Sequence, residues 1–252
     1  MSDELVNELR RQENAWRTRP LVRRLYREWH ESIRDRLARV PGSTVELGSG
    51  FGALKETIPD VVLTDVERTP WTDVIVDGEE LPYADGSVAN LVLVDVFHHL
   101  ARPSAFLDEA RRVLAPGGRV LLLDPYCSPV STIAYKLFHR ERTDLAGEAF
   151  GEDSGVAAGP LDSNQARATL IFFRQLDRFR RGWPELALVE RHRLALVVYP
   201  LSGGFAGTPL VPDALRAPLT VVERALQPLA PLLAFRCLVV LERVTSPGRT
   251  AT

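Results

Sequence analysis

Ser43-Thr44-Val45-Glu46-Leu47-Gly48-Ser49-Gly50-Phe51-Gly52 is an apolar strand running straight into a turn with glycine at every second position. Three residues without a Cβ just past a strand end let the chain bend tightly and bring its backbone close to a ligand. A second apolar run, Val61-Val62-Leu63-Thr64, ends in Asp65. An acid about 20 residues beyond a glycine turn is the position that binds ribose hydroxyls in dinucleotide sites. The spacing predicts a nucleoside-containing cofactor.

The same alternation continues outward. Asp73-Val74-Ile75-Val76 reads as a third strand ending at Asp77-Gly78, and Leu91-Val92-Leu93-Val94 as a fourth leading into Asp95-Val96-Phe97-His98-His99-Leu100. Ala105 to Leu114 has helical apolar spacing and is expected to stop at Ala115-Pro116-Gly117-Gly118. Val120-Leu121-Leu122-Leu123-Asp124 supplies a fifth strand. Strands alternating with helices predict an α/β fold whose parallel sheet is covered on both faces. At 252 residues the chain suits one domain with additions.

The glycine spacing separates two cofactor classes. Nicotinamide and flavin sites use G-x-G-x-x-G, whereas the third glycine here comes one position early, and an acid precedes the first by two. No Tyr-x-x-x-Lys pair is present either, which disfavours a nicotinamide-dependent oxidoreductase. Glu46-x-Gly48-x-Gly50-x-Gly52 resembles motif I of class I S-adenosylmethionine (SAM) methyltransferases. Leu81-Pro82-Tyr83-Ala84-Asp85-Gly86-Ser87, His98-His99-Leu100 and Arg112-Val113-Leu114-Ala115-Pro116-Gly117-Gly118 follow in order. Together they closely resemble the type-11 group of that class, over roughly residues 43–126.

The resemblance implies a Rossmann-like fold: a seven-stranded, mostly parallel sheet with an antiparallel last strand and helices on both faces. It implies SAM as cofactor and methyl transfer to a small molecule on oxygen, nitrogen or carbon; a SAM-fold binding or scaffold protein without transferase activity is the alternative. Gly48, Ser49, Gly50 and Gly52 would bring backbone to the methionyl and ribose parts, and Glu46 would help hold the amino acid end. Asp65 would accept from both ribose hydroxyls, because a carboxylate offers two oxygens. Asp77 with Gly78 would meet the adenine, and Asp95, or its carbonyl, the methionyl amino group. The segment between Asp65 and Asp77, containing Thr69-Pro70-Trp71, is too short for the helix usual there, so Val66 or Trp71 is expected against the base.

On the acceptor side, His98 and His99 are the candidate proton acceptors, because histidine titrates near neutral pH. Tyr126 is expected to face the acceptor pocket, with His139 as a second substrate contact. No metal site is expected. Residues 1–40 show two helices divided at Pro20, which in related methyltransferases cover the cofactor. Residues 127–165 and 200–216 are insertions where substrate recognition fits, and residues 186–244 hold the last two strands and a late helix. One amphipathic helix is expected over Ala166 to Arg181.

A formal net charge of −2 gives no broad positive field for nucleic acid. Charges and prolines break the apolar stretch Ala217 to Leu241, so no integral membrane segment is expected. The absence of a basic-then-apolar leader and the two distant cysteines, Cys127 and Cys237, predict a cytoplasmic protein with reduced thiols. Oligomeric state has no signature in the sequence.

Overall fold

The computed structural model describes residues 3–138, 141–150 and 163–244. Helices α1 (Asp3–Thr18) and α2 (Pro20–Arg34) come first, followed by β1 (Ser43–Leu47), β2 (Val62–Asp65), β3 (Val74–Ile75) and β4 (Val88–Val94). Then come α3 (Pro103–Val113), β5 (Leu114–Pro125), α4 (Pro129–Phe138), α5 (Arg167–Thr169), α6 (Leu176–Gly182) and β6 (Leu186–Leu194). The chain closes with α7 (Val198–Ser202), α8 (Arg216–Ala225), α9 (Ala230–Leu233) and β7 (Arg236–Arg243). The seven strands lie in the order β3-β2-β1-β4-β5-β7-β6, and β7 runs antiparallel to both neighbours while the other paired strands are parallel.

The apolar runs form central strands because successive side chains go to opposite faces, and both faces are covered. Leu91, Leu93, Val120 and Leu122 join one core with Phe106, Leu107, Ala110 and Val113 of α3. Val92, Leu121, Leu123 and Leu238 join a second with Ile33 of α2 and Leu54 and Ile58 after the glycine turn. Pro20 occupies the first turn of α2, where its missing N–H costs no helical bond. Among the described residues, no helix is long and apolar enough to cross a membrane.

Several expected elements are corrected by the packing. The helix of residues 105–114 spans Pro103–Val113, and β5 begins at once: Leu114 pairs with Val88, then Arg119 with Asn90. Ala115 to Gly118 is thus a bulge inside the strand and not a loop before it. A Cβ on Gly118 would lie 2.8 Å from the Ala115 carbonyl oxygen and 2.9 Å from that of Ala89, so only glycine closes this bulge. The single helix expected over residues 166–181 is interrupted by a π-helical turn at Leu170–Arg174, where the Gln175 N–H reaches the Leu170 carbonyl at 2.7 Å. The wider turn rotates the apolar face, so that Phe172 and Phe179 are fully buried while Phe173 stays half-buried. The late helix is likewise broken into α8 and α9, and the sixth strand stops at Leu194.

Candidate active site

The site is built at the C-terminal ends of β1, β2, β4 and β5, where parallel strands leave a crevice. Gly48, Gly50 and Gly52 all adopt left-handed backbone, with φ of 62°, 55° and 73°. At Gly48 a Cβ would come within 2.5 Å of Val96 Cγ2, and at Gly52 within 2.8 Å of Leu63 Cδ1. Glycine is required there twice over, by backbone angle and by space. The Ser49 N–H donates to the Thr64 carbonyl at 2.8 Å, tying the turn to β2, while the buried Ser49 Oγ has no partner.

Beside this turn stand two acids. Glu46 is buried and its Oε2 is unpartnered; burial, helped by the charge of Asp65, pushes its carboxyl well above the usual range. Burial also raises Asp65, while the N–H groups of Glu67, Gly50 and Val66 hydrogen-bond its carboxylate and oppose the rise. Glu46 Oε2 and Ser49 Oγ are polar atoms that folding has stripped of water without replacing it, which suits a ligand bearing hydrogen-bond donors.

Glu46→Gln is expected to raise the melting temperature at neutral pH and to leave it unchanged below about pH 4. The folded protein keeps the Glu46 proton to higher pH than the unfolded chain, whose reference value is 4.5, so wild-type stability falls as pH rises past that value. Glutamine has no proton to lose. Thermal melts of both proteins from acid to neutral pH test this, and parallel profiles would contradict the burial of a carboxyl.

Asp77 lies farther out: it is exposed, and its Oδ1 accepts from the Glu79 N–H at 2.8 Å. Gly78 is buried, and a Cβ there would make only ordinary contacts with Leu47 and Leu100, so space does not require glycine. No helix forms between Asp65 and Asp77, as the short spacing predicts; Val66 stands 64% exposed at the end of β2 and Trp71 is half-buried.

Asp95 ends β4 with φ of 60°, and both its oxygens are taken. The Tyr26 hydroxyl donates to Oδ2 at 2.8 Å, and the buried Arg236 guanidinium pairs with Oδ1. Arg236 in turn stands 5.8 Å from the ring of Trp29 and 5.3 Å from that of Tyr199. The Asp95 side chain, expected at the methionyl amino group, is therefore committed to the protein. Above it, α1 and α2 close over the turn: Leu9 packs against Gly50, Trp16 meets Phe51 at 5.8 Å, and Tyr26 meets Phe205 at 4.8 Å. A cavity of about 290 Å³ opens between Trp16, Arg17, Arg23 and the Phe51-Gly52-Ala53 turn.

His98 is buried between two acids, with Nδ1 2.8 Å from Asp124 Oδ1 and Nε2 3.2 Å from Glu141 Oε2. Burial alone would push its pKa down, but Asp124 and Glu141 overcome this and hold it at about 10. The ring of His99 lies 4.1 Å from that of His98, and burial together with the His98 charge lowers its pKa to about 4. At neutral pH His98 is charged and His99 neutral, so only His99 has a lone pair to offer. Tyr126, expected to face the acceptor, is buried instead; its hydroxyl accepts from Arg193 Nε at 2.8 Å and its ring packs on Phe173. His139 lies outside the described residues.

The structure thus brings together Glu46, Gly48, Ser49, Gly50, Gly52 and Asp65, leaves Asp77 at the rim and turns Tyr126 away. Sequence reasoning missed Arg236, Tyr199 and Glu141. Tyr26 was visible on the apolar face of α2, whereas nothing local marks an arginine before an apolar strand as the partner of Asp95.

Residues 45–122 match the family model described as a methyltransferase domain. No curated protein sequence matches. Among solved structures, one from the complex between the Haloferax volcanii Trm112 methyltransferase activator and a methyltransferase is 16% identical, with 97% of this chain and 100% of that chain covered and a TM-score of 0.53. The geranyl diphosphate C-methyltransferase from Streptomyces coelicolor, solved with Mg2+, geranyl diphosphate and S-adenosyl-L-homocysteine, is 14% identical over 88% and 82% of the two chains, with a TM-score of 0.52. A SAM-dependent methyltransferase from Mesorhizobium loti is 16% identical over 86% and 98%, with a TM-score of 0.50. At these identities the likeness establishes the fold.

Proposed function

We propose, from the match of residues 45–122 to the model of a methyltransferase domain, that the chain uses SAM to methylate a small-molecule acceptor. One observation carries the reading: three left-handed glycines at the end of β1 face an acid at the end of β2, with Glu46 Oε2 and Ser49 Oγ buried and unpartnered beside them. Bound there, SAM supplies a methyl group on positively charged sulfur, which departs with the bonding electron pair as an acceptor lone pair attacks.

The work left to the chain is to align two molecules and keep water out. Asp65 takes the ribose hydroxyls, Gly48, Gly50 and Gly52 admit the ligand to the backbone, and Glu46 with Ser49 receives the amino acid end. Val66, Asp77 and Gly78 border the adenine, and Asp95 anchors the crevice through Tyr26 and Arg236. The aromatic cover of Tyr26, Trp29, Tyr199 and Phe205 suits an acceptor with apolar surface, with His98 and His99 at its polar end. The small-molecule class also fits the lack of a basic field, and the buried thiols Cys127 and Cys237 fit a cytoplasmic location.

Asp65→Ala is expected to weaken SAM binding by about 10- to 100-fold, the worth of hydrogen bonds to a charged group. Calorimetry on folded wild-type and variant protein measures it. Equal affinities would remove Asp65 from the site, and no binding by the wild type would reject the cofactor. Binding without methylated product from any extract would favour the non-catalytic alternative.

A further inference from the structure

The polar end of the acceptor crevice holds three potential ligand groups. One ring nitrogen each of His98 and His99 and a carboxylate oxygen of Glu141 all lie within 4.8 Å of one another, and His98 Nε2 is the nitrogen that faces Glu141, 3.2 Å from its Oε2. We propose that these three groups form a site for a divalent transition-metal ion of the zinc and cobalt class. Two imidazoles and a carboxylate are the donor set such ions prefer. With bonds of about 2.0–2.2 Å, a tetrahedral ion holds its ligand atoms about 3.4 Å apart, so side-chain shifts of about an ångström close the site.

The surroundings orient these ligands as a metal site requires. Asp124, fully buried, accepts from His98 Nδ1 at 2.8 Å, which fixes the tautomer that presents Nε2 to the ion. Ser163 Oγ and Gln165 Nε2 donate to Glu141 Oε2 at 3.0 and 3.2 Å and steady the carboxylate. In this structure His98 Nε2 points its proton at Glu141 Oε2, 3.2 Å away; an ion takes the place of that proton and releases it to solvent. His98 is buried, but His99 and Glu141 are only partly so, and they give the approach from the crevice.

Three protein ligands leave a fourth position open. On the methyltransferase reading, that position receives an oxygen of the acceptor and lowers the pKa of a bound hydroxyl. Ion binding itself does not depend on that reading.

The test uses the full chain, stripped with chelator and titrated with Co2+ while its visible ligand-field absorption is followed. One equivalent is expected to bind with the bands of a low-symmetry site. Glu141→Gln and His99→Asn are each expected to weaken binding at least tenfold, with circular dichroism confirming their fold. His192→Ala, a change at an exposed histidine on β6, leaves the titration unaltered. Absence of saturable binding, or equal affinity in the wild type and both ligand variants, overturns the site. Calorimetry with SAM on the same stripped protein separates the outcomes, because loss of the metal site with SAM binding retained leaves the proposed function standing.

Discussion

Replacing Asp95 with alanine is expected to destabilise the protein by about 3–5 kcal/mol, the usual consequence of leaving a buried cation without its counter-ion. The stranded partner is Arg236, 4% exposed, whose Nε already lacks a partner and whose Nη2 pairs with Asp95. Water cannot reach the guanidinium in the folded state, and the rings of Trp29 and Tyr199 offer only weak compensation. Tyr26 loses its acceptor at the same time. Because total stability is typically about 5–15 kcal/mol, this one change removes a large share of it.

Backbone and charge contribute separately to that loss. Asp95 sits at φ of 60°, a conformation asparagine tolerates and alanine does not. Asp95→Asn keeps the backbone preference and the acceptor for Tyr26 while dropping the charge, so its loss reports the ion pair. Adding Arg236→Met removes the stranded cation, and the double variant is expected to recover much of the deficit. Urea unfolding of wild type, Asp95→Asn, Arg236→Met and their double variant measures the cycle, with Asp95→Ala beside them. An Asp95→Ala protein within about 1 kcal/mol of wild type would mean that Arg236 does not depend on this acid.

Gly48→Ala carries the second large effect, about 2–5 kcal/mol, together with loss of SAM binding. The estimate combines about 1–2 kcal/mol for a left-handed alanine with about 1–3 kcal/mol for overpacking. The new methyl would fall 2.5 Å from Val96 Cγ2, a side chain on the loop that carries Asp95. Relief of that clash moves either the glycine turn or the loop, and both border the cofactor crevice. Val96→Ala in the same chain is expected to restore the packing part and leave the backbone part, which divides the two causes. Thermal unfolding and SAM calorimetry read the result; unaltered values in Gly48→Ala would show that the turn tolerates a side chain.

Where chemistry and neighbours in sequence coincide, the fold was legible. The runs at residues 61–63, 91–94 and 120–123 are apolar without interruption, and both their faces proved to be covered. The missing helix after Asp65 was legible from chain length alone. The bulge at Ala115–Gly118 and the π-helical turn at Leu170–Arg174 were not, because each exists to bring strand or aromatic side chains into register with a partner far along the chain.

The candidate site divides along the same line. Glycines that must adopt positive φ, the acid closing the next strand and the helix-breaking Pro20 act through bonds and steric limits within a few residues, so the amino-acid order alone determined the glycine turn and the succession of strands along the chain. Which side chains neutralise one another is a matter of packing across the crevice. Asp95 meets an arginine 141 residues away, and His98 is clasped by Glu141 from an insertion. Burial turns such meetings into strong interactions, since charges removed from water must find each other in whatever order the fold brings them. Only the tertiary structure decided that Tyr126 faces the core, that His98 is charged while His99 is neutral, and that three potential ligands converge.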